Sequence, residues 1–395
     1  MMVTNGSFHT GSDLLDLVVG GGQRFGYPTG RIVNIVGDKS TGKTFLACEL
    51  IAAARHQWGE RLRWEYDDAE SGFTFDTEQL YGFQVLPPEE RRTKSKTVEE
   101  WYCNVRAFLE SMKEGEVGIY VLDTLDGLSS KQMQERGDER YNAFKKGKKF
   151  EKGSYQMEAA KFLSQEFFRN LTDEVEKKNL LLVIISQTRD DISSMFGEQT
   201  RSGGRALDFY AHTCLWLHKG PNIVRKGRAV GEIVKAKTKK SKTPRPFRSC
   251  FFPLIFDYGV DNIGADIDFL FDLRTDQGEL KAGAAEAVRW SGGAGSETTP
   301  KALVEFIKAQ GKEELFKQAK KSYNLTGAKG ITEWIAKDPE LQTAFETLFG
   351  VMMKREDLIM WIEKNARQQD LTDAVRAKWE RIEQEIRTSR QRKYE

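Results

Sequence analysis

The chain has 395 residues, 30% of them charged and 39% hydrophobic, with a formal net charge of +2 at pH 7. That length exceeds one ordinary domain and points to a large domain with a smaller companion. Near-neutral charge excludes a global field for nucleic acid, so any such affinity must come from local patches.

Four cysteines (Cys48, Cys103, Cys214, Cys250) stand far apart without C-x-x-C spacing. They read as reduced thiols of a cytoplasmic protein rather than a zinc site. No apolar run reaches the length of a membrane span and no signal peptide precedes the first expected strand, so no membrane partner is expected.

Residues 1–28 form a short Gly-rich lead segment, in which Ser12 or Asp13 can cap a helical turn over Leu14, Leu15, Leu17 and Val18. From 29 to 275, apolar strand candidates alternate with helical stretches, the pattern of an α/β fold on a doubly wound, mostly parallel sheet. The expected strands are 31–36, 61–66, 117–122, 180–185 and 213–217, followed by a ribbon of 230–236 with 249–256. Residues 276–299 turn Gly- and Ala-rich and read as a linker. The remainder, 300–395, reads as a small C-terminal helical domain, opened by Thr299 as N-cap and Pro300 at the first helical position. Trp334, Trp361 and Trp379 are its expected core aromatics.

The most specific signal runs from Arg31 to Ala47. A β-branched run, Ile32-Val33-Asn34-Ile35-Val36, suits a buried parallel strand. Gly37-Asp38-Lys39-Ser40-Thr41-Gly42-Lys43-Thr44 then turns into a helix-compatible segment. Strand, glycine-rich loop and helix together are the context a P-loop requires. Backbone N–H groups and the helix N-terminus can cradle phosphate oxygens there. Lys43 is placed to reach the β- and γ-phosphates and Thr44 to ligate Mg²⁺, so a nucleoside triphosphate is expected.

Three further positions close expected strands. Asp123 ends 117–122, where a P-loop enzyme puts the carboxylate that orients the Mg²⁺ shell; an aspartate capping the next turn gives the same letters. Strand 61–66 runs into Asp67-Asp68-Ala69-Glu70, at the sheet edge where open α/β folds bind ligands. Glu70 suits deprotonation of the attacking water, with a solvated acidic turn as the alternative. Strand 180–185 ends in Ser186-Gln187, whose amide can report on the γ-phosphate to the polar loop beyond.

The order of GDKSTGKT, YDDAE, VLDTLDGL, IISQTR and MFGEQTRSGGRALDFYA resembles the core of bacterial RecA and phage RecA-like recombinases, over roughly Thr10 to Asp272. The resemblance implies ATP as the nucleotide, with Lys43 and Thr44 as the P-loop pair and Asp123 as the Mg²⁺-associated aspartate. It implies Glu70 as the glutamate that activates water and Gln187 as the glutamine that couples the γ-phosphate to a second DNA loop. That loop would hold Met195-Phe196-Gly197 and end at Gly203 and Gly204. Lys240 and Lys242 resemble paired lysines that reach across a protomer interface to the neighbour's nucleotide. A helical filament on single-stranded DNA is implied as well.

Two stretches carry nucleic-acid chemistry of their own. The first, near 129–155, mixes Lys131, Arg136, Arg140, Lys145, Lys146, Lys148, Lys149 and Lys152 with Tyr141, Phe144 and Phe150. Charges can track phosphates and rings can stack on bases, although a solvated lysine-rich loop has the same composition. The second, near 189–204, holds Arg189, Met195, Phe196 and Arg201, with Arg205 just beyond. Met195 or Phe196 can wedge between bases there, and the glycines let phosphates approach the backbone. The cationic run 225–248 leaves nucleotide, DNA and a neighbouring subunit open as partners.

The expected protein is thus a DNA-dependent ATPase of the recombinase type, cytoplasmic (nucleoid or phage-infected host). Its expected cofactors are ATP and Mg²⁺, and its partners single-stranded DNA, homologous duplex DNA and further copies of itself. Alternatives on the same core are a hexameric helicase motor and a regulatory paralogue that turns over slowly.

Overall fold

The computed structural model describes residues 6–22, 25–147, 157–190, 199–201, 204–286, 288–290, 299–322, 325, 327–349 and 351–389. The chain divides into two units, residues 1–265 and 266–395.

Among the described residues, the first unit is built on a nine-stranded sheet. Its strands are β1 (Arg31–Gly37), β2 (Leu62–Asp68), β3 (Val117–Asp123), β4 (Leu180–Asp190), β5 (Gln199–Arg201), β6 (Thr213–Arg225), β7 (Arg228–Ser241), β8 (Ser249–Ile255) and β9 (Gly259–Val260). They lie in the order β9-β8-β7-β6-β1-β4-β3-β2, with β5 folded antiparallel onto the end of β4. From β2 to β6 the neighbours are parallel; β7, β8 and β9 add antiparallel. This is the α/β, mostly parallel architecture that the periodicity predicts.

A parallel strand covered on both faces must be apolar throughout, and every residue of β3 is buried. On one side the core holds Trp101 stacked on Phe167 at 4.0 Å between centroids, with Phe168, Leu171, Tyr120 and Leu182 around them. Ser12 caps the helix Asp13–Gly20, its hydroxyl accepting from the Leu15 N–H at 3.4 Å.

Two elements differ from the expected layout. The strand expected to stop at 217 continues to Arg225 and turns back immediately as β7, so the ribbon partner of 230–236 is first of all β6 and then β8. Lys226 (φ 49°) and Gly227 (φ 77°) both take the left-handed backbone of a two-residue hairpin turn. Beyond Leu217 no residue of the strand is buried, so no apolar run announces it. The second difference is the basic stretch near 129–155, of which Lys131–Lys145 is a helix rather than a loop. Ser130 caps it by accepting from Met133 N–H at 3.3 Å. None of its residues is buried, and Tyr141 and Phe144 are 58% and 79% exposed.

The second unit, by itself, packs Leu303, Phe306, Ile307, Phe316, Ile335 and Phe345 into a helical core. Trp379 is buried, and Trp334 packs edge-on to Phe316 at 5.1 Å. Thr299 caps the helix Pro300–Ala309, with proline in its first turn. Within the stretch expected as a linker, Val288–Trp290 pairs antiparallel with Val351–Met353. The buried Asp268 carboxylate is held by Arg274 and by both arms of Arg355 at 2.6–3.1 Å. Among the described residues no helix is long and apolar enough to cross a membrane.

One half-buried carboxylate makes stability depend on pH. Burial pushes Glu49, on the P-loop helix, up to about 7, opposed by hydrogen bonds from Val260 N–H and Tyr81 Oη. The folded chain therefore holds this proton more tightly than the unfolded chain. Its contribution is full below about 4.5, the ordinary value, and is lost as pH rises through about 7. Glu49→Gln is expected to melt several degrees higher than the parent at pH 8 and to lose the advantage at pH 5. Equal pH slopes in thermal melts of the two proteins would contradict this assignment.

Candidate functional site

The site grows from the C-terminal ends of β1, β2, β3 and β4. After β1 the chain must turn sharply into the helix Lys43–Trp58, and glycine makes that turn possible. A Cβ on Gly37 would lie 2.4 Å from Thr41 Oγ1, and Gly42 sits at φ 79°. Thr41 Oγ1 donates to the Asp38 carbonyl at 2.9 Å, and Lys43 Nζ folds back onto the same oxygen at 2.7 Å. Burial holds Lys43 below its ordinary value, while Asp123 and Glu70 pull it back up. Asp38, Lys39 and Ser40 are exposed at the loop's outer turn.

Asp123, at the end of β3, accepts from Thr44 Oγ1 at 2.7 Å and from Tyr66 Oη at 2.6 Å on one oxygen, Oδ2. Burial raises its carboxyl, and these two hydrogen bonds oppose that rise. A hydroxyl and a carboxylate side by side are hard oxygen donors, the kind Mg²⁺ takes when phosphates and water complete its shell. No cluster of three acidic, His or Cys ligands occurs among the described residues.

Of the three carboxylates at and just past the end of β2, two are spoken for by the fold. Asp67 is bonded by Ser95 N–H, Ser95 Oγ and Tyr120 Oη; Asp68 accepts from Gly72 N–H. Glu70 alone reaches the site, where its Oε1 accepts from Thr124 Oγ1 at 2.6 Å and from Gln187 Nε2 at 2.9 Å. Gln187 is fixed in turn by its backbone N–H, which donates to Asp126 Oδ2 at 2.8 Å. Beside the P-loop opens a pocket of about 550 Å³, walled by Phe45, Phe75, Leu254 and Phe256, with Lys219 and Glu232 paired at 3.5 Å on its rim.

The structure thus brings together Lys43, Thr44, Glu70, Asp123 and Gln187. It adds Tyr66 within β2 and Thr124 and Asp126 just beyond β3, whose roles depend on partners supplied by other segments. Lys240 near the end of β7 and Lys242 just beyond it lie apart from this cluster. Lys240 Nζ donates to the carbonyls of Asp208, Phe209 and Ala211 at the end of the helix Gly204–Tyr210. Lys242 lines a second pocket of about 350 Å³ with Arg31, Tyr210 and His212.

The residues expected at DNA divide differently. Lys145 and Lys146 end the exposed helix, with Lys145 Nζ 4.4 Å above the Tyr141 ring. Arg189 lies on β4, and Gly204 and Arg205 open the helix Gly204–Tyr210. Lys148, Lys149, Met195, Phe196, Gly197 and Gly203 lie outside the described residues. Arg201, expected as a DNA contact, is instead buried, because its guanidinium is drawn inward to Asn34 and Asp208.

With this geometry in hand, comparison with known proteins is informative. A family model described as the RecA N-terminal domain matches residues 149–261. Protein RecA of Chloroherpeton thalassium is 32% identical over 268 residues, 67% of this chain and 67% of that protein. The chain belongs to the RecA family. Protein RecA of Ruminococcus albus is 29% identical over 279 residues, 70% of this chain. That match spans 62% of the Ruminococcus protein's length, less than two thirds. The crystal structure of the RadB recombinase is similar at 17% identity and a TM-score of 0.42, covering 64% of this chain and 98% of that one.

The P-loop turn gives a direct check on the site's geometry. Gly42→Ala forces a Cβ into left-handed backbone, which costs roughly 1–2 kcal/mol. Urea denaturation is expected to show a loss of stability of that order; a parental midpoint would mean the loop relaxes around the new carbon.

Proposed function

We propose that this chain is an ATP-dependent DNA recombinase, which assembles as a filament on single-stranded DNA and promotes homologous pairing and strand exchange. One observation carries the reading: Glu70, suited to activate water, is hydrogen-bonded to Gln187, whose strand leads directly into the loop expected to hold DNA. A nucleotide site and a DNA loop joined by one side chain are what coupling of hydrolysis to DNA binding requires. Membership of the RecA family supports it.

In this mechanism the P-loop N–H groups hold the phosphates and Lys43 leaves the Asp38 carbonyl to neutralise charge on the β- and γ-oxygens. Thr44 and Asp123 are the residues that would hold Mg²⁺, which when bound would neutralise charge on the β- and γ-phosphates. Glu70 takes a proton from the water that attacks the γ-phosphorus, and the bond from the γ-phosphorus to the β–γ bridging oxygen breaks as ADP leaves. Thr124 holds the Glu70 carboxylate in place throughout. Gln187 exchanges its bond to Glu70 for one to the γ-phosphate, moving the strand that carries the DNA loop. Positioning and charge stabilisation dominate, as in phosphoryl transfer generally. From neighbouring protomers, Lys240 and Lys242 add positive charge. Lys145, Lys146 and the second loop track the single strand.

Lys43→Ala is expected to abolish ATP turnover, and Glu70→Gln to lower kcat about a hundredfold or more while ATP still binds. Robust phosphate release by the Lys43 variant would refute the site. Electron microscopy with ATPγS and single-stranded DNA tests the assembly: filaments are expected, whereas closed rings would favour a helicase motor. Joint-molecule formation between a circular single strand and homologous linear duplex tests exchange itself.

A further inference from the structure

A buried asparagine in the middle of an apolar strand needs a partner for each of its polar atoms. Asn34 on β1 has them. Its Nδ2 donates to the Ile184 carbonyl at 2.7 Å and to Ser186 Oγ at 2.9 Å, and its Oδ1 accepts from the Arg201 guanidinium. The Arg201 side chain is only 6% exposed, although the residue ends β5, which pairs with the end of β4 just beyond Gln187. Its other arm bonds the Asp208 carboxylate, and Cys214 Sγ lies 3.6 Å away. Asp208 belongs to the helix Gly204–Tyr210, whose final carbonyls receive the Lys240 ammonium.

We propose that Arg201 is a positioning residue: it locks the helix Gly204–Tyr210, and with it Lys240, to the strand end that carries Gln187. The proposal rests on the reading of Lys240 as a group that reaches a neighbour's triphosphate. A guanidinium buried to this degree is costly unless each arm is paired, so its partners fix each other's positions. Its rigid planar fork spans Asn34 and Asp208 at once, which the point charge of a lysine cannot do. Ser186 precedes Gln187 in the chain, so a backbone shift at Gln187 carries Ser186 Oγ, Asn34 and Arg201 with it. The same contacts leave neither arm of Arg201 for a DNA phosphate.

Three variants of the full chain test this: Arg201→Gln, Arg201→Lys and Asp208→Asn. At saturating single-stranded DNA, kcat is expected to fall tenfold or more in both Arg201 variants and threefold or more in Asp208→Asn. KM for ATP and the DNA Kd with ATPγS are expected to stay within threefold. Hydrogen exchange in residues 204–211 is expected to speed up. Parental kcat in the variants, or rescue by Arg201→Lys, would overturn the proposal. A weakened DNA Kd with kcat intact at saturation would mean that Arg201 touches DNA directly, and would overturn it too. Asp208 is 60% exposed, so its variant decides the matter if loss of Arg201 prevents folding. Should the parent show no DNA-stimulated turnover, the recombinase reading falls, while exchange rates in 204–211 still test the lock.

Discussion

Parallel strand register is the constraint on which the site depends. β1 and β4 pair so that Gly37 lies opposite Gln187, and β2 and β3 pair so that Asp68 lies opposite Asp123. Four strands finishing at one edge bring together side chains as far apart in the chain as Glu70 and Gln187, 117 residues. Side chains alternate across a sheet, so a slip of one residue in any of these pairs would turn its whole face over. The apolar runs of β1, β3 and β4 prevent that slip, since both faces of these strands are packed.

Upon that apolar frame sits a polar layer in which few groups are left without partners. Asp123 takes two hydroxyl donors on one oxygen, Asp67 takes three donors, and Glu70 takes two. Such networks are strongly directional, because an unpaired polar atom in a low-dielectric setting is costly. The layer therefore holds its carboxylates in set orientations. Lys43 rests on a carbonyl of its own loop.

Much of this was legible in the letters, and the reasons it was legible are local. A P-loop needs glycine where the backbone turns and lysine and threonine where the helix begins, all within eight residues. Glu70, Asp123 and Gln187 announce themselves by following apolar runs. Tyr66, Thr124 and Asn34 do not, since their roles depend on neighbours supplied by other strands. The helix Lys131–Lys145 escaped notice because helical periodicity is visible only when one face is buried, and here none is. Arg201 was misplaced for a related reason: composition records a charge but not the direction in which it points. The long β6–β7 hairpin is set by Lys226-Gly227, a turn too short to stand out among exposed polar residues.

The asparagine within β1 has a consequence for how this molecule can change over generations. Replacing it by valine would complete the hydrophobic strand and yet strand a guanidinium in the interior. Replacing Arg201 alone by an apolar residue would leave an amide oxygen without its guanidinium donor. Each change alone costs a buried polar contact, which couples Asn34, Arg201 and Asp208: a substitution at one alters what is favourable at the other two.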